Sequence, residues 1–378
     1  MPAVRKIAFL LEEFTKSSPA RQLVDRFLIG YPRDGAMYKP ARETVSAHLM
    51  ISATESDFEM RQEDFGLTIS LTAEQAVESA DAVVIVPRSP GAMANERFLQ
   101  IALEHMPTGK VCFVHGALAN TLEQGREFLG LARSRQVALL AGTPLCVTWR
   151  LPAVELRRGT RLAEALIVVQ AGALSNQASP PAPSATLAGA ELHALEGLLP
   201  VIERRSGGES GIRSIRFLEG KELWRAGDKG LWSWPLLASA ISRSHSPQGD
   251  ALLDGRTQDL VGLGLVPKLA RHPRGWLLEH HDGLRSAILV LDGVVADFNF
   301  AVRAQDGPMI SAQLFRAPPP AEQHYSRLVA VMEDFFHNGA SPWPVERNLL
   351  ITGLLENFRQ PSSRSGRRVE TPTLKIGY

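Results

Sequence analysis

Cysteine is nearly absent: the 378 residues hold 2, Cys112 and Cys146. A disulfide scaffold is thereby excluded. Both sit in apolar runs, where cysteine serves more often as a small core side chain than as a nucleophile. Charge of one sign is absent too, since 41 Lys and Arg against 40 Asp and Glu leave a net of +1. So balanced a chain gives no electrostatic reason to expect nucleic acid or an anionic membrane as partner. The basic runs Arg204-Arg205 and Arg364–Arg368 are short and read as solvated loops. No apolar run approaches the ~20 residues of a membrane helix. The opening MPAVRKIAFLLEEFTK turns acidic too early for a secretory leader. A soluble, cytoplasmic protein is expected. Also missing are G-x-S-x-G, a Walker loop, C-x-x-C and H-E-x-x-H, so no nucleophile elbow, phosphate loop or zinc site announces itself.

What is present is ordinary globular material: 44% hydrophobic and 21% charged residues. The length suits two domains of ~100–200 residues. Through residues 1–145 strand-like and helix-like segments alternate. KIAFLL (Lys6–Leu11), VSAHLMIS (Val45–Ser52), DAVVIVP (Asp81–Pro87), KVCFVH (Lys110–His115) and Val137–Leu140 read as strands. Between them, SPARQLVDRFL (Ser18–Leu28), Thr72–Ser79, Asn95–His105 and Leu122–Ser134 carry helical spacing or caps. Apolar strands alternating with helices predict a Rossmann-like, doubly wound parallel sheet. Residues 146–378 read as a second α/β domain with a mainly antiparallel, open-faced sheet. Its strands include Leu162–Ala171, and AILVL with VVADFNFAV around Asp292-Gly293, which predicts a hairpin. Leu187–Arg204, Tyr325–His337 and Pro344–Asn357 read as helices.

Three segments resemble one family. His193 in GAELHALEGLL matches in position the helix histidine of the glucose–fructose oxidoreductase/inositol dehydrogenase (Gfo/Idh/MocA) family. NGASPWPVERNLLITGLLENF (Asn338–Phe358) is similar to its closing segment, and AGTPLCVTWRLPAVE (Ala141–Glu155) to its crossover between domains. The resemblance implies an oxidoreductase using NAD or NADP on a sugar or another polyhydroxylated small molecule, with His193 as acid/base. It also implies a homo-oligomer assembled through the C-terminal sheet. The sequence departs from the pattern at three points. The turn after the first strand, LLEEFTKSSPA, has no glycine, whereas a dinucleotide turn uses glycines so that backbone can approach the pyrophosphate. His115-Gly116-Ala117 stands where a Glu-Lys-Pro-like tripeptide carries the catalytic lysine. Near Gly189, one turn before His193, the usual carboxylate is missing.

The candidate residues follow from these readings. Thr15, Ser17 and Ser18 offer hydroxyls and N–H groups to an anion at the glycine-free turn, or else form a plain helix cap. Arg88, ending a parallel strand, suits a phosphate or carboxylate, or is an ordinary surface arginine. His115 ends another parallel strand, where open α/β sheets take their ligands. Glu279-His280-His281-Asp282 is the densest titratable cluster; strand alternation puts His280 and Asp282 on one face and Glu279 on the other. His193, His115 and His280 are therefore the acid/base candidates, and Glu279, Asp282 and Arg150 the substrate contacts; no metal is expected. Two other functions stay open: a cofactor-independent lyase, isomerase or hydrolase, and a non-catalytic partner subunit in a hetero-complex.

Overall fold

The computed structural model describes residues 6–16, 18–41, 44–50, 55–88, 94–171, 183–245 and 259–378. The chain forms two compact units, Met1–Val147 with Ala317–Thr352, and Thr148–Arg316 with Gly353–Tyr378.

In the first unit β1 (Lys6–Leu11) leads to α1 (Pro19–Leu28), a small hairpin β2 (Tyr31–Arg33) and β3 (Ala36–Tyr38), then β4 (Thr44–Leu49), α2 (Glu55–Phe65), β5 (Thr68–Ile69), α3 (Ala73–Glu78), β6 (Ala82–Val86), α4 (Ala94–His105), β7 (Val111–His115), α5 (Leu122–Ser134) and β8 (Ala138–Gly142). The order β5-β4-β1-β6-β7-β8 is parallel throughout, the doubly wound arrangement the sequence predicts. Strands β6 and β7 are buried at every position, as strands covered on both faces must be. Ser18, Thr72 and Thr121 cap their helices by accepting from the N–H three residues on, each such cap stabilising by ~1 kcal/mol.

One boundary differs from expectation. Residues 317–352, read with the second domain, belong to the first unit. Helix α10 (His324–Asn338) places Leu328, Val329, Met332, Phe335 and Phe336 in the same core as Phe9 and Phe27, and Phe336 stacks on Phe27 at 5.9 Å. An amphipathic stripe shows that a helix has a buried face, not which core receives it.

The second unit is built on β9 (Arg150–Leu151), β10 (Leu162–Val169), α6 (Pro183–Ile202), β11 (Ile212–Glu219), α7 (Gly220–Asp228), α8 (Trp234–Ile241), α9 (Val266–Leu269), β12 (Arg271–His280), β13 (Arg285–Asp292), β14 (Phe298–Ala304), β15 (Met309–Leu314) and β16 (Arg368–Glu370); helix α11 (Val345–Arg359) precedes β16. The sheet runs β16-β11-β12-β13-β10-β14-β15-β9 and is antiparallel except where β10 lies along β13. The predicted hairpin at Asp292-Gly293 is not formed. Strand β10 inserts between β13 and β14, pairing with both. The Asp-Gly turn is real, with Gly293 at φ 88°, but it feeds a longer step of chain.

The central strands carry side chains on both faces. Alternate residues of β10 point to opposite faces. Ile167 comes within 3.1 Å of the place a Gly197 Cβ would take on α6. Leu166 and Val168 instead join Leu236, Leu237 and Ala240 of α8, Leu223 of α7 and Val266 of α9 in one core. Helices thus cover both sides of the central strands. Trp232 is buried beneath this cover, and Trp224 and Trp234 stack at 5.7 Å.

Candidate functional site

A doubly wound sheet takes its ligand outside the carboxyl ends of its strands, where strand order reverses. Here that point lies between β1 and β6. Leu11 is level with Val86, and His115 with Gly142. The chain then leaves β1 as Glu12-Glu13. The Arg88 backbone N–H donates to Glu12 Oε2 at 2.8 Å, and Arg88 Nε lies 3.1 Å from Glu13 Oε2. Burial raises the Glu13 carboxyl above its ordinary value, opposed by Arg88 and reinforced by Glu12. Arg88, expected on a ligand anion, is paired with the chain's own carboxylates.

The turn itself is closed. Thr15 N–H donates to Ser18 Oγ at 3.0 Å, Ser18 Oγ donates to Thr15 O at 2.9 Å, and Ser18 N–H donates to the same carbonyl at 3.1 Å. Ser18 Oγ also accepts from Arg21 N–H, and the side chain is 3% exposed. Phe14 fills the space below, fully buried, edge-on to Phe58 at 5.1 Å and under the Arg61 guanidinium at 5.6 Å. The Thr15 N–H and the Ser18 N–H and hydroxyl, expected on an anion, are thus used inside the turn. Ser17 lies outside the described residues. Strand β4, beside β1, carries no carboxylate for a ribose from Thr44 to Met50; His48 at its end meets Ser70 O through Nδ1 at 3.2 Å.

These residues do not fit a dinucleotide. A phosphate charge about 5 Å from a carboxylate that Arg88 did not neutralise would meet roughly 3 kcal/mol of repulsion at an effective dielectric near 20. A helix N-terminus returns only about 0.3–1 kcal/mol.

His115 is different. It ends β7 at 4% exposure, its ring stacked at 6.2 Å on Tyr325 of α10. Burial pushes it down to about 4, so the ring is neutral at pH 7. Its Nε2 is buried with no hydrogen-bond partner among the described residues. Such a group costs about 1–3 kcal/mol when left unmet.

The remaining candidates lie in the second unit. His193 stands on α6 with Nδ1 4.0 Å from Glu196 Oε2 and its ring edge-on to Phe298 at 6.0 Å. Arg150 Nη1 donates to Val154 O at 3.4 Å, and its guanidinium lies over the Phe300 ring; burial lowers its affinity for the proton, the nearby Arg204 adding to this. That is a bracing role within the unit.

The Glu279–Asp282 cluster is tied into a network of ion pairs and hydrogen bonds. His280 is fully buried. Glu209 Oε1 lies 2.8 Å from its Nδ1, so that nitrogen carries the proton and donates, while Nε2 pairs with Ser286 Oγ at 2.9 Å. Both ring nitrogens are occupied. Glu209 is also held by Arg205 through two bonds at 3.0 and 3.1 Å and by the N–H groups of Ser210 and Gly211. Burial would raise its carboxyl, yet His280 and Arg205 together bring it down to about 2. Asp282 accepts from Arg205 Nε at 2.7 Å, and Glu279 pairs with Arg213 and Arg368. The organiser is Arg205, which the sequence offered only as part of a short basic run. His193 and His280 sit among different partners. No group of three or more His, Cys, Asp or Glu able to hold a metal occurs among the described residues.

No family model matches the sequence, and no curated protein matches it by sequence. Solved structures do match in fold. A gentamicin A biosynthesis protein in complex with NAD aligns at TM-score 0.60 and 13% identity, over 98% of this chain and 97% of that one. The myo-inositol dehydrogenase of Lactobacillus casei, in complex with NAD(H) and myo-inositol, aligns at 0.58 and 14%, over 98% and 99%. The biliverdin reductase of Synechocystis sp. PCC 6803, with biliverdin and NADP+, aligns at 0.51 and 12%, over 93% and 96%. At these identities the likeness shows the fold: a Rossmann-like parallel sheet plus a mostly antiparallel second sheet, as in inositol dehydrogenases and related Gfo/Idh/MocA-fold oxidoreductases.

Proposed function

We propose that this chain, built on the fold of the inositol dehydrogenases, binds a small polyhydroxylated molecule and does not transfer hydride. The β1–α1 turn carries this reading, with Glu12 and Glu13 where a diphosphate would lie and Ser18 consumed as a cap. The ligand-facing group we assign is His115 Nε2. A neutral imidazole with one unmet nitrogen pairs with a hydroxyl at no electrostatic cost, and the site needs no charged ligand to balance it. A hydroxyl-rich molecule supplies donors and acceptors alike.

A second reading, NAD- or NADP-dependent oxidation with His193 as acid/base, is favoured by fold likeness over nearly the whole chain. Calorimetric titration with NADH and NADPH separates the two. We expect no heat of binding up to millimolar nucleotide, and binding of a polyol from a screened set that falls at least tenfold in His115→Phe. A micromolar dissociation constant for either nucleotide would refute the proposal and restore the dehydrogenase reading.

A further inference from the structure

Helix α6 carries a buried carboxylate that none of the chemistry above employs. Glu191, 1% exposed, accepts a hydrogen bond from Trp276 Nε1 at 2.7 Å. Among the described residues its ion-pair partner is Arg364, 3.5 Å away and a third exposed. A fully buried carboxylate ordinarily needs more than one neutral donor and one distant charge to stay ionised. Arg364 has other attachments. Its guanidinium lies over the rings of Phe217 and Trp276 at 5.1 and 5.7 Å, and its Nε donates to Phe358 O at 2.9 Å. Trp276 in turn stacks on Phe358 at 4.0 Å.

Arg364 ends the short 3-10 turn Pro361–Arg364, which leads into β16. That edge strand meets the sheet through three residues, Arg368, Val369 and Glu370, all against β11. So short an edge opens locally at low cost. Upstream of it the chain is anchored at Gly366 O, which accepts from Arg216 Nε at 2.8 Å, and then at Arg364.

We propose that Glu191 is a proton-operated latch on the segment from Pro361 to Glu370: ionised, it holds Arg364; protonated, it releases it. Burial pushes Glu191 up to about 7, against the Trp276 hydrogen bond and the charges of Arg364, Arg274 and Arg359. Those groups come from each element packed on it: Trp276 and Arg274 from β12, Arg359 from α11, and Arg364 from the turn. Helix α6 itself adds His193 and Glu196. The latch is therefore closed above neutral pH and open below it. When open, Arg364 keeps its ring contacts and its bond to Phe358 O, so the segment loosens without leaving.

The full chain, 15N-labelled, tests this. The Trp276 indole N–H resonance, assigned with Trp276→Phe, should titrate with a midpoint near pH 7. Amide protection over residues 365–370, corrected for intrinsic exchange, should be about two- to fivefold lower at pH 6 than at pH 8, the ratio a partly exposed ion pair carries. Glu191→Gln should abolish the titration and hold protection at the lower level at both pH values. If that variant does not fold, Arg364→Gln should keep the indole titration and show the lower protection throughout. An indole resonance flat from pH 5 to 9, equal protection at pH 6 and 8, or wild-type protection in Arg364→Gln would each overturn the latch.

Discussion

Replacing Glu209 with glutamine should cost the second unit about 3–4 kcal/mol at pH 7. The carboxylate is fully enclosed, and it neutralises Arg205 through two hydrogen bonds while accepting from His280. Glutamine keeps the shape and removes the charge. Of its carboxylate partners Arg205 then retains Asp282, itself partly exposed. Breaking one side of a buried ion pair typically costs ~3–5 kcal/mol. Linkage gives a similar figure. The carboxyl falls from 4.5 to about 2 on folding, and roughly 1.4 kcal/mol per unit gives about 3 kcal/mol. The sign is definite. The pKa is depressed, so this stability is present above pH ~4.5 and is lost as pH falls toward 2. Urea unfolding followed by tryptophan emission suits the test. Of the 6 tryptophans, Trp149, Trp224, Trp232, Trp234 and Trp276 lie in the second unit and only Trp343 in the first. Wild type should lose stability between pH 4.5 and 2.5 while Glu209→Gln loses little there. A loss under about 1 kcal/mol at pH 7, or acid sensitivity equal to wild type, would refute the account of His280 as part of a sealed structural network.

Glu191 acts in the opposite direction: its pKa is raised on folding, to about 7 from 4.5. Stability from this group is fullest below pH ~4.5 and declines as pH rises to 7, by up to about 3 kcal/mol. Glu191→Gln should flatten that slope in the same urea experiment. Together the two carboxylates should put the second unit's stability maximum near pH 4.5–5. Ser18→Ala should destabilise the first unit by about 1 kcal/mol through loss of the α1 cap. It should also leave nucleotide affinity as undetectable as in the wild type; a gain of micromolar binding would show that the closed cap alone was excluding the diphosphate.

Much of the first unit was legible because its signals are local. DAVVIVP is a strand too apolar to be anything but enclosed, and Thr72, Thr121 and Ser18 each cap a helix where the sequence places one. The hairpin of β2 and β3 was equally available: Asp34 and Gly35 both take positive φ, 52° and 83°, the two-residue turn that Asp-Gly favours. Long-range facts were not legible. Asp292-Gly293 carries the same signal, yet β10, more than a hundred residues earlier, takes the place its hairpin partner would occupy. The Glu279–Asp282 cluster looked chemically dense because Arg205, its counterion, lies 75 residues away in sequence. The glycine-free turn was read correctly as a departure. That Ser18 closes it and that Glu12 and Glu13 pair with Arg88 is visible only once the backbone is in place.

The helices over the second sheet change what kind of process completes that surface. In an assembly through a bare sheet, a second copy supplies the cover, so the cover depends on concentration. Here Leu223, Trp232, Leu236, Leu237 and Val266 supply it from the same chain. Enclosing such side chains is worth ~1.5–3 kcal/mol each, and all of it is gained in folding. Burial of these side chains is a first-order step, equally complete in the most dilute solution. A partner that meets this side of the unit therefore meets helices rather than strands, beginning with the half-buried rings of Trp224 and Trp234.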